Sequence, residues 1–207
     1  MTALLFVVGA YLLGSIPFAI VASKALRLPD PRTYGSNNPG ATNVLRTGNK
    51  QAAILTLAGD VIKGVVAVLL ARHFFVGEQW VVFLVAVAVF LGHVFSVFLH
   101  FKGGKGVATA LGVLLALNWV MGLVALGIWL AVAAIFRYSS VAALAAALGA
   151  SIFALLSSSM PNPYVLAAVV MAGLLIWRHT SNIKNLIAGT ETRIGGGKRG
   201  SEEEDDA

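Results

Sequence analysis

The sequence predicts an all-α membrane protein, a bundle of seven transmembrane helices with its N-terminus extracytoplasmic and its C-terminus cytoplasmic. Three observations predict it. Of 207 residues, 58% are hydrophobic and the mean hydropathy is +0.85, whereas a soluble domain is typically about 45–50% apolar. The apolar residues run in uncharged stretches long enough to cover a hydrocarbon core of about 30 Å, which takes about 20 helical residues. The basic residues gather in the loops between those stretches. In a soluble chain a net charge of +6 would suggest nucleic acid; confined to inter-span loops, it speaks for membrane orientation and against a nucleic-acid partner. Cysteine is absent, which excludes disulfides, thiolate nucleophiles and Cys-bound metals. The four histidines are scattered with few carboxylates near them, so no metal site is expected.

The first span is expected from about Thr2 to Ala22. No Lys or Arg precedes it, so it lacks the basic flank of a cleavable signal peptide, and Lys24 and Arg27 beyond it orient the N-terminus outside. After a polar loop over 23–50, apolar runs over 51–71 and 79–99 form a helical hairpin about the turn from Arg72 to Gln79. Gly106 to Phe136 is 31 uncharged residues, long for one helix, and Asn118-Trp119 reads as a turn dividing it into two short spans. Tyr138 to Trp177 is 40 uncharged residues, divided by Ser157-Ser158-Ser159-Met160-Pro161-Asn162-Pro163. With seven spans, thirteen of the fifteen basic residues lie inside, the exceptions being Arg72 outside and Lys63 within a span. Six spans would send Arg137, Arg178 and the C-terminal basic residues to the opposite face. Residues 1–194 are expected as a single transmembrane domain. Residues 195–207, with Gly195-Gly196-Gly197 and then Glu202 to Asp206, are expected as a disordered acidic tail.

Three polar motifs fall on the face assigned to the cytoplasm. The first, from Asp30 to Arg46, is dense in small hydrogen-bonding groups (Ser36, Asn38, Thr42, Asn43) and ends on an arginine suited to a bidentate grip on an oxyanion; it also reads as a solvated loop whose Gly, Asn and Pro make turns. The second, Phe101-Lys102-Gly103-Gly104-Lys105-Gly106, opens the fourth span. Glycine amides, two lysines and the helix N-terminus that follows describe a phosphate cradle, without P-loop spacing; a positive flank with a tight turn is the alternative. His93 stands one helix end away. The third, Arg178 to Arg193, repeats polar and anchoring positions at 179, 182 and 186, so His179 and Asn182 share a face; a basic segment lying on anionic lipid is the alternative. Within the second span, Asp60 and Lys63 are three residues apart and face one side, either as site support or as a structural ion pair.

Taken in order, these segments resemble the bacterial acyl-phosphate-dependent glycerol-3-phosphate acyltransferases, integral membrane enzymes that begin phospholipid synthesis. The residues that carry the resemblance are Gly14-Ser15-Ile16-Pro17, Gly35-Ser36 with Asn38, Gly40-Ala41-Thr42-Asn43 and Arg46, Phe101 to Thr109, and Asn182-Ile183 followed by Gly189, Glu191 and Arg193. Two positions depart from the family pattern: Asn37 where Gly or a small apolar residue is usual, and Ser96 where Pro is expected.

The resemblance implies transfer of a fatty acyl group from acyl phosphate to the 1-hydroxyl of glycerol 3-phosphate, at the cytoplasmic side of the bacterial inner membrane. No cofactor is implied. The partners implied are those two substrates, membrane lipid, and a functional link to an enzyme that makes acyl phosphate. Ser36, Lys102 and His179 become the catalytic candidates. Asn38, Thr42, Asn43, Arg46, Gly103, Gly104, Lys105, Asn182, Glu191 and Arg193 become substrate-binding candidates, with Asp60, Lys63 and His93 as support. Ser36, Arg46 and Lys102 are assigned to the acyl-phosphate phosphoryl group and the developing oxyanion, and Lys105, His179 and Asn182 to glycerol 3-phosphate. Without Cys, and with no carboxylate to complete a Ser36–His179 triad, direct attack by the glycerol hydroxyl is expected rather than an acyl-enzyme. The proton goes to His179 or to a phosphate oxygen. An anion or phospholipid transporter and a lipid-binding scaffold are the other classes, but a transporter commonly carries inverted repeats and midplane sites, and no internal repeat is visible here.

Overall fold

A computed structural model describes residues 1–195; the acidic tail expected beyond Gly195 lies outside the described residues. Among the described residues every regular element is helical. α1 (Thr2–Ser15) and α2 (Phe18–Ala25) form a pair bent by 44° at Ile16-Pro17, where proline cannot continue the amide ladder. The first motif loop follows and contains the short α3 (Ala41–Val44). α4 (Lys50–Phe74) starts at Asn49, whose side chain accepts from the Ala52 amide at 2.9 Å and so satisfies one open helix donor. α5 (Gln79–Val94) completes the expected hairpin.

The 31-residue apolar stretch does divide where Asn118 suggests. α6 (Val107–Leu117) ends there, and the Asn118 side chain caps α7 (Trp119–Phe136) by accepting from Met121 N at 3.0 Å. Gly122 sits against Leu115 across the break; two such positions in one continuous helix would stand about 10 Å apart, so the two helices fold back on each other. α8 (Ser139–Leu156) and α9 (Asn162–Arg178) are separated by the Ser/Pro turn, and α10 (Thr180–Ile187) leaves α9 at 54°.

The protein is a multi-pass membrane protein. Four segments are individually long and apolar enough to cross a bilayer (Lys50–Phe74, Gln79–Leu99, Trp119–Phe136 and Ser139–Leu156), and the bent pairs α1–α2 and α9–α10 raise the number to six. The count of seven expected from the sequence depends on α6, which at 11 residues is about 16 Å long and by itself covers only part of the apolar core. The Asn118 turn divides the stretch unequally, with 11 helical residues before it and 18 after.

Small residues let the helices approach backbone to backbone, the packing mode favoured where lipid removes the hydrophobic drive between helices. Gly14 lies on Val89 and Gly92 on Tyr11, joining α1 to α5; Gly64 and Gly112 join α4 to α6. α8 meets its neighbours through a row of buried alanines, among them Ala143, Ala146, Ala150 and Ala154.

Candidate active site

The first motif is held in shape by Asn43. Its Nδ2 donates to the carbonyls of Pro31 (2.7 Å) and Tyr34 (3.1 Å), its Oδ1 accepts from the Ser36 amide at 2.9 Å, and the residue is 2% exposed. The side-chain amide is thereby taken up within the loop, which makes Asn43 an organiser of Ser36 more than a free ligand. A Cβ on Gly35 would strike both Asn43 and the Arg46 side chain, so Gly35 lets these residues close on each other. The Ser36 hydroxyl and Arg46 are exposed. Asn37 adopts φ +53°, a left-handed conformation that Asn tolerates better than most non-glycine residues, which accounts for Asn at a position where Gly or a small apolar residue is expected.

The second motif departs from the expected cradle. The Gly103 and Gly104 amides donate to the carbonyls of Val94 and His93, both at 3.1 Å, and so satisfy the open C-terminal carbonyls of α5. They do not converge on an open anion site. Their carbonyls in turn accept from Arg178, at 3.0 Å for Gly103 and 3.3 Å for Gly104, which clamps the loop to α9. Ser96, the other departure, has φ −61°, the value a proline ring imposes, and its hydroxyl donates to the Ser15 carbonyl at 2.6 Å.

Lys105 is the residue of this motif that reaches the third. Its Nζ donates to Asn182 Oδ1 at 2.5 Å, Asn182 Nδ2 donates to Glu191 Oε1 at 2.7 Å, and the Ser140 hydroxyl donates to the same carboxylate oxygen at 2.6 Å. Burial pushes the Lys105 ammonium below its usual value; Glu191 opposes that, and Arg178 and Arg46 add to it. The charges whose fields reach Lys105 thus come from the first and third motifs. Lys102, by contrast, is exposed, and among the described residues no hydrogen bond or ion pair involves its side chain. Thr42 meets the Ser139 hydroxyl at 3.2 Å, and Arg193 donates to the Tyr138 hydroxyl at 3.1 Å while lying over its ring.

His179 follows the last residue of α9 and is 2% exposed. Its Nδ1 is 2.8 Å from the Leu175 carbonyl; a carbonyl only accepts, so Nδ1 carries the proton and the lone pair is on Nε2. Burial, the largest cause, pushes the imidazole down to about 4, with Lys105 and Arg178 also lowering it.

Below this polar layer an apolar groove of about 380 Å³, counting its open mouth, runs between α6, α7, α8 and α9. Its upper lining is Val107, Ala143 and Leu175, adjoining Lys105, Ser140 and His179 in turn; its lower lining is Leu114, Ala125, Ala150 and Ala168. On α6, α8 and α9 alike the lining runs from one residue to the seventh beyond it, two helical turns or about 10 Å.

The profile of the glycerol-3-phosphate acyltransferase family matches residues 4–189 of the chain. The chain belongs to that family. A glycerol-3-phosphate acyltransferase of Burkholderia thailandensis is 57% identical over 196 residues, covering 94% of this chain and 97% of the relative. One from Herminiimonas arsenicoxydans is 57% identical over 202 residues, covering 96% and 98%. Among solved structures, the integral membrane glycerol 3-phosphate acyltransferase PlsY in its glycerol 3-phosphate form matches with a TM-score of 0.88 at 40% identity, covering 93% of this chain and 96% of that one. Its lysophosphatidic acid form matches with a TM-score of 0.87.

Within this family fold the structure brings together Lys105, Asn182, Glu191 and His179, with Arg46 close by. It gives Asn43 and the two glycine amides internal partners and leaves Lys102 unengaged. Two residues of this end were missed as site candidates from sequence. Arg178 read only as the basic residue that opens the third motif, because a sequence does not show which carbonyls a guanidinium reaches. Ser140 carried no signal, because its partner Glu191 is 51 residues away.

Proposed function

We propose that the protein transfers a fatty acyl group from acyl phosphate to the 1-hydroxyl of glycerol 3-phosphate, releasing phosphate and giving lysophosphatidic acid. The observation that carries this reading is the meeting of two environments: a cationic, hydrogen-bonded layer around Lys105 and Asn182 stands at the mouth of an apolar groove. A substrate with a phosphorylated head and a fatty tail fits that junction, and the forms in which the related structure is described, with glycerol 3-phosphate and with lysophosphatidic acid, agree with it.

Acyl phosphate is already an activated anhydride, so orientation and charge stabilisation can supply much of the acceleration. In this reading the glycerol hydroxyl oxygen bonds to the carbonyl carbon, the bond from that carbon to the phosphate oxygen breaks, and phosphate departs with the bonding pair. Ser36, Arg46 and Lys102 serve the phosphoryl group and the oxyanion; Lys105, His179 and Asn182 serve glycerol 3-phosphate. Gly103, Gly104 and Asn43 shape the loops, and Glu191 orients Asn182. His179 Nε2 accepts the hydroxyl hydrogen bond and directs attack, but an imidazole depressed to about 4 is a weaker base than the dianion of the departing phosphate. The proton therefore ends on a phosphate oxygen of the donor. Asn38, Thr42 and Arg193 line the approach.

Seven crossings, with α6 as a short one and the N-terminus outside, keep the motif-bearing end on the cytoplasmic side of the inner membrane, which the distribution of basic residues supports. The purified full chain with radiolabelled glycerol 3-phosphate and palmitoyl phosphate is expected to yield lysophosphatidic acid, and with palmitoyl-CoA to yield none. Product from the CoA ester alone overturns the donor; product from neither overturns the reaction.

A further inference from the structure

Beneath the glycine loop lies a charged cluster that the proposed chemistry does not use. Asp60 and Lys63, both on α4, form an ion pair at 2.8 Å and are 3% and 2% exposed. Such a pair inside an apolar bundle is weak evidence for stability, so what it connects to decides its role. Lys63 Nζ also donates to the Ile16 carbonyl at 2.9 Å, at the bend between α1 and α2. Asp60 Oδ1 lies 3.4 Å from His93 Nδ1, which is 3.2 Å from the Thr109 hydroxyl on α6.

His93 then touches the loop twice. The Gly104 amide donates to its carbonyl at 3.1 Å, and its ring edge at Nε2 fills the space that a Cβ on Gly104 would need. Lys105 is the next residue. Movement of the ring is therefore transmitted to the segment that carries Lys105 and opens α6.

We propose that Asp60, Lys63 and His93 form a positioning element for glycerol 3-phosphate binding: the ion pair fixes the His93 ring, and the ring against Gly104 sets Lys105 against Asn182. The proposal rests on Lys105 being a ligand of that substrate's phosphate. Its mark is complementarity of size between two residues that contact each other, which a merely structural role does not require.

The test is a double-mutant cycle in the purified full chain, reading KM for glycerol 3-phosphate, kcat and the melting temperature of His93→Ala, Gly104→Ala and the double variant. Each single change is expected to raise KM about tenfold or more, and the double variant to be no worse than His93→Ala, because the added methyl enters the space the ring vacates. His93→Asn, which keeps an N–H toward Asp60, is expected to recover part of the affinity lost in His93→Ala. Effects that multiply in the double variant overturn the proposal, as does a fall in kcat and melting temperature with KM unchanged. Lys105→Ala is the separate arm. If it leaves KM unchanged, the phosphate assignment itself fails; if it raises KM while the cycle shows no coupling, only the positioning role fails.

Discussion

The two ends of the helix bundle are built on different economies of polar groups. At one end the loop over 26–49, the glycine loop, the α7–α8 junction and the segment after α9 are tied by side-chain bonds across long sequence separations: Thr42 to Ser139, Lys105 to Asn182, Ser140 to Glu191, Arg178 to Gly103 and Gly104, Arg137 to Ile194. At the other end short turns suffice. Phe6 stacks on Phe74 and Phe75 with ring centroids 5.4 and 5.0 Å away, Asn118 caps α7, and the Arg72 guanidinium donates to the Ala116 carbonyl at the end of α6 at 2.5 Å. Arg72, the one basic residue that the loop count assigns to the outside, is thus spent on capping a helix C-terminus. One end gathers cations close in sequence to the lining of an apolar groove; at the other, the Arg72 guanidinium is taken up by a helix C-terminus. The contrast separates the candidate site from a closure.

The largest test of that contrast is Lys105→Ala. Loss of a preorganised donor to a phosphate or oxyanion costs about 3 kcal/mol, so kcat/KM is expected to fall about 100-fold with the melting temperature nearly unchanged; a loss of under about threefold would break the assignment of this end as the site. A comparable effect, read as stability, concerns His179. Its folded value of about 4 lies below the ordinary 6.5, so between those values the unfolded chain binds more protons and stability falls as pH falls. That decline, up to about 3 kcal/mol, is expected in melting curves taken from pH 7 to pH 4, and His179→Gln is expected to flatten it.

Glu191→Ala removes the acceptor shared by Ser140 and Asn182 and is expected to cost about 1–3 kcal/mol, visible as a lower melting temperature together with a raised KM for glycerol 3-phosphate. Ala147→Phe, which fills the groove, is expected to shift kcat/KM about tenfold against palmitoyl phosphate relative to octanoyl phosphate; equal loss for both chains would remove the groove from the acyl site. Smallest is Arg72→Ala at the closed end, about 1 kcal/mol of stability with KM and kcat unchanged. A change in KM there would show that the two ends are coupled.

Much of the helical layout was legible because local chemistry announces it. Asn118 is a helix cap as well as a turn residue, Pro161 and Pro163 interrupt the long apolar stretch, and the spacing of Asp60 and Lys63 puts them on one face of α4, where they pair. The candidate site was legible as three segments but not as a contact map. Asn43 and the Gly103 and Gly104 amides looked like free donors because a sequence shows hydrogen-bonding capacity without showing where it is spent. Arg178 and Ser140 were overlooked for the converse reason: their partners come from loops distant in sequence.

By itself, the sequence determined that the chain lives in a bilayer, where most of its helices begin and end, and which family it resembles. These follow from hydropathy, capping and motif order, all of which act within a few residues or along the chain. Only the tertiary structure decided which polar groups are consumed internally, that Gly122 packs on Leu115 between α6 and α7, and that His93 reaches Gly104. Those depend on how closely small residues let the helices approach, and no single stretch of sequence contains that distance.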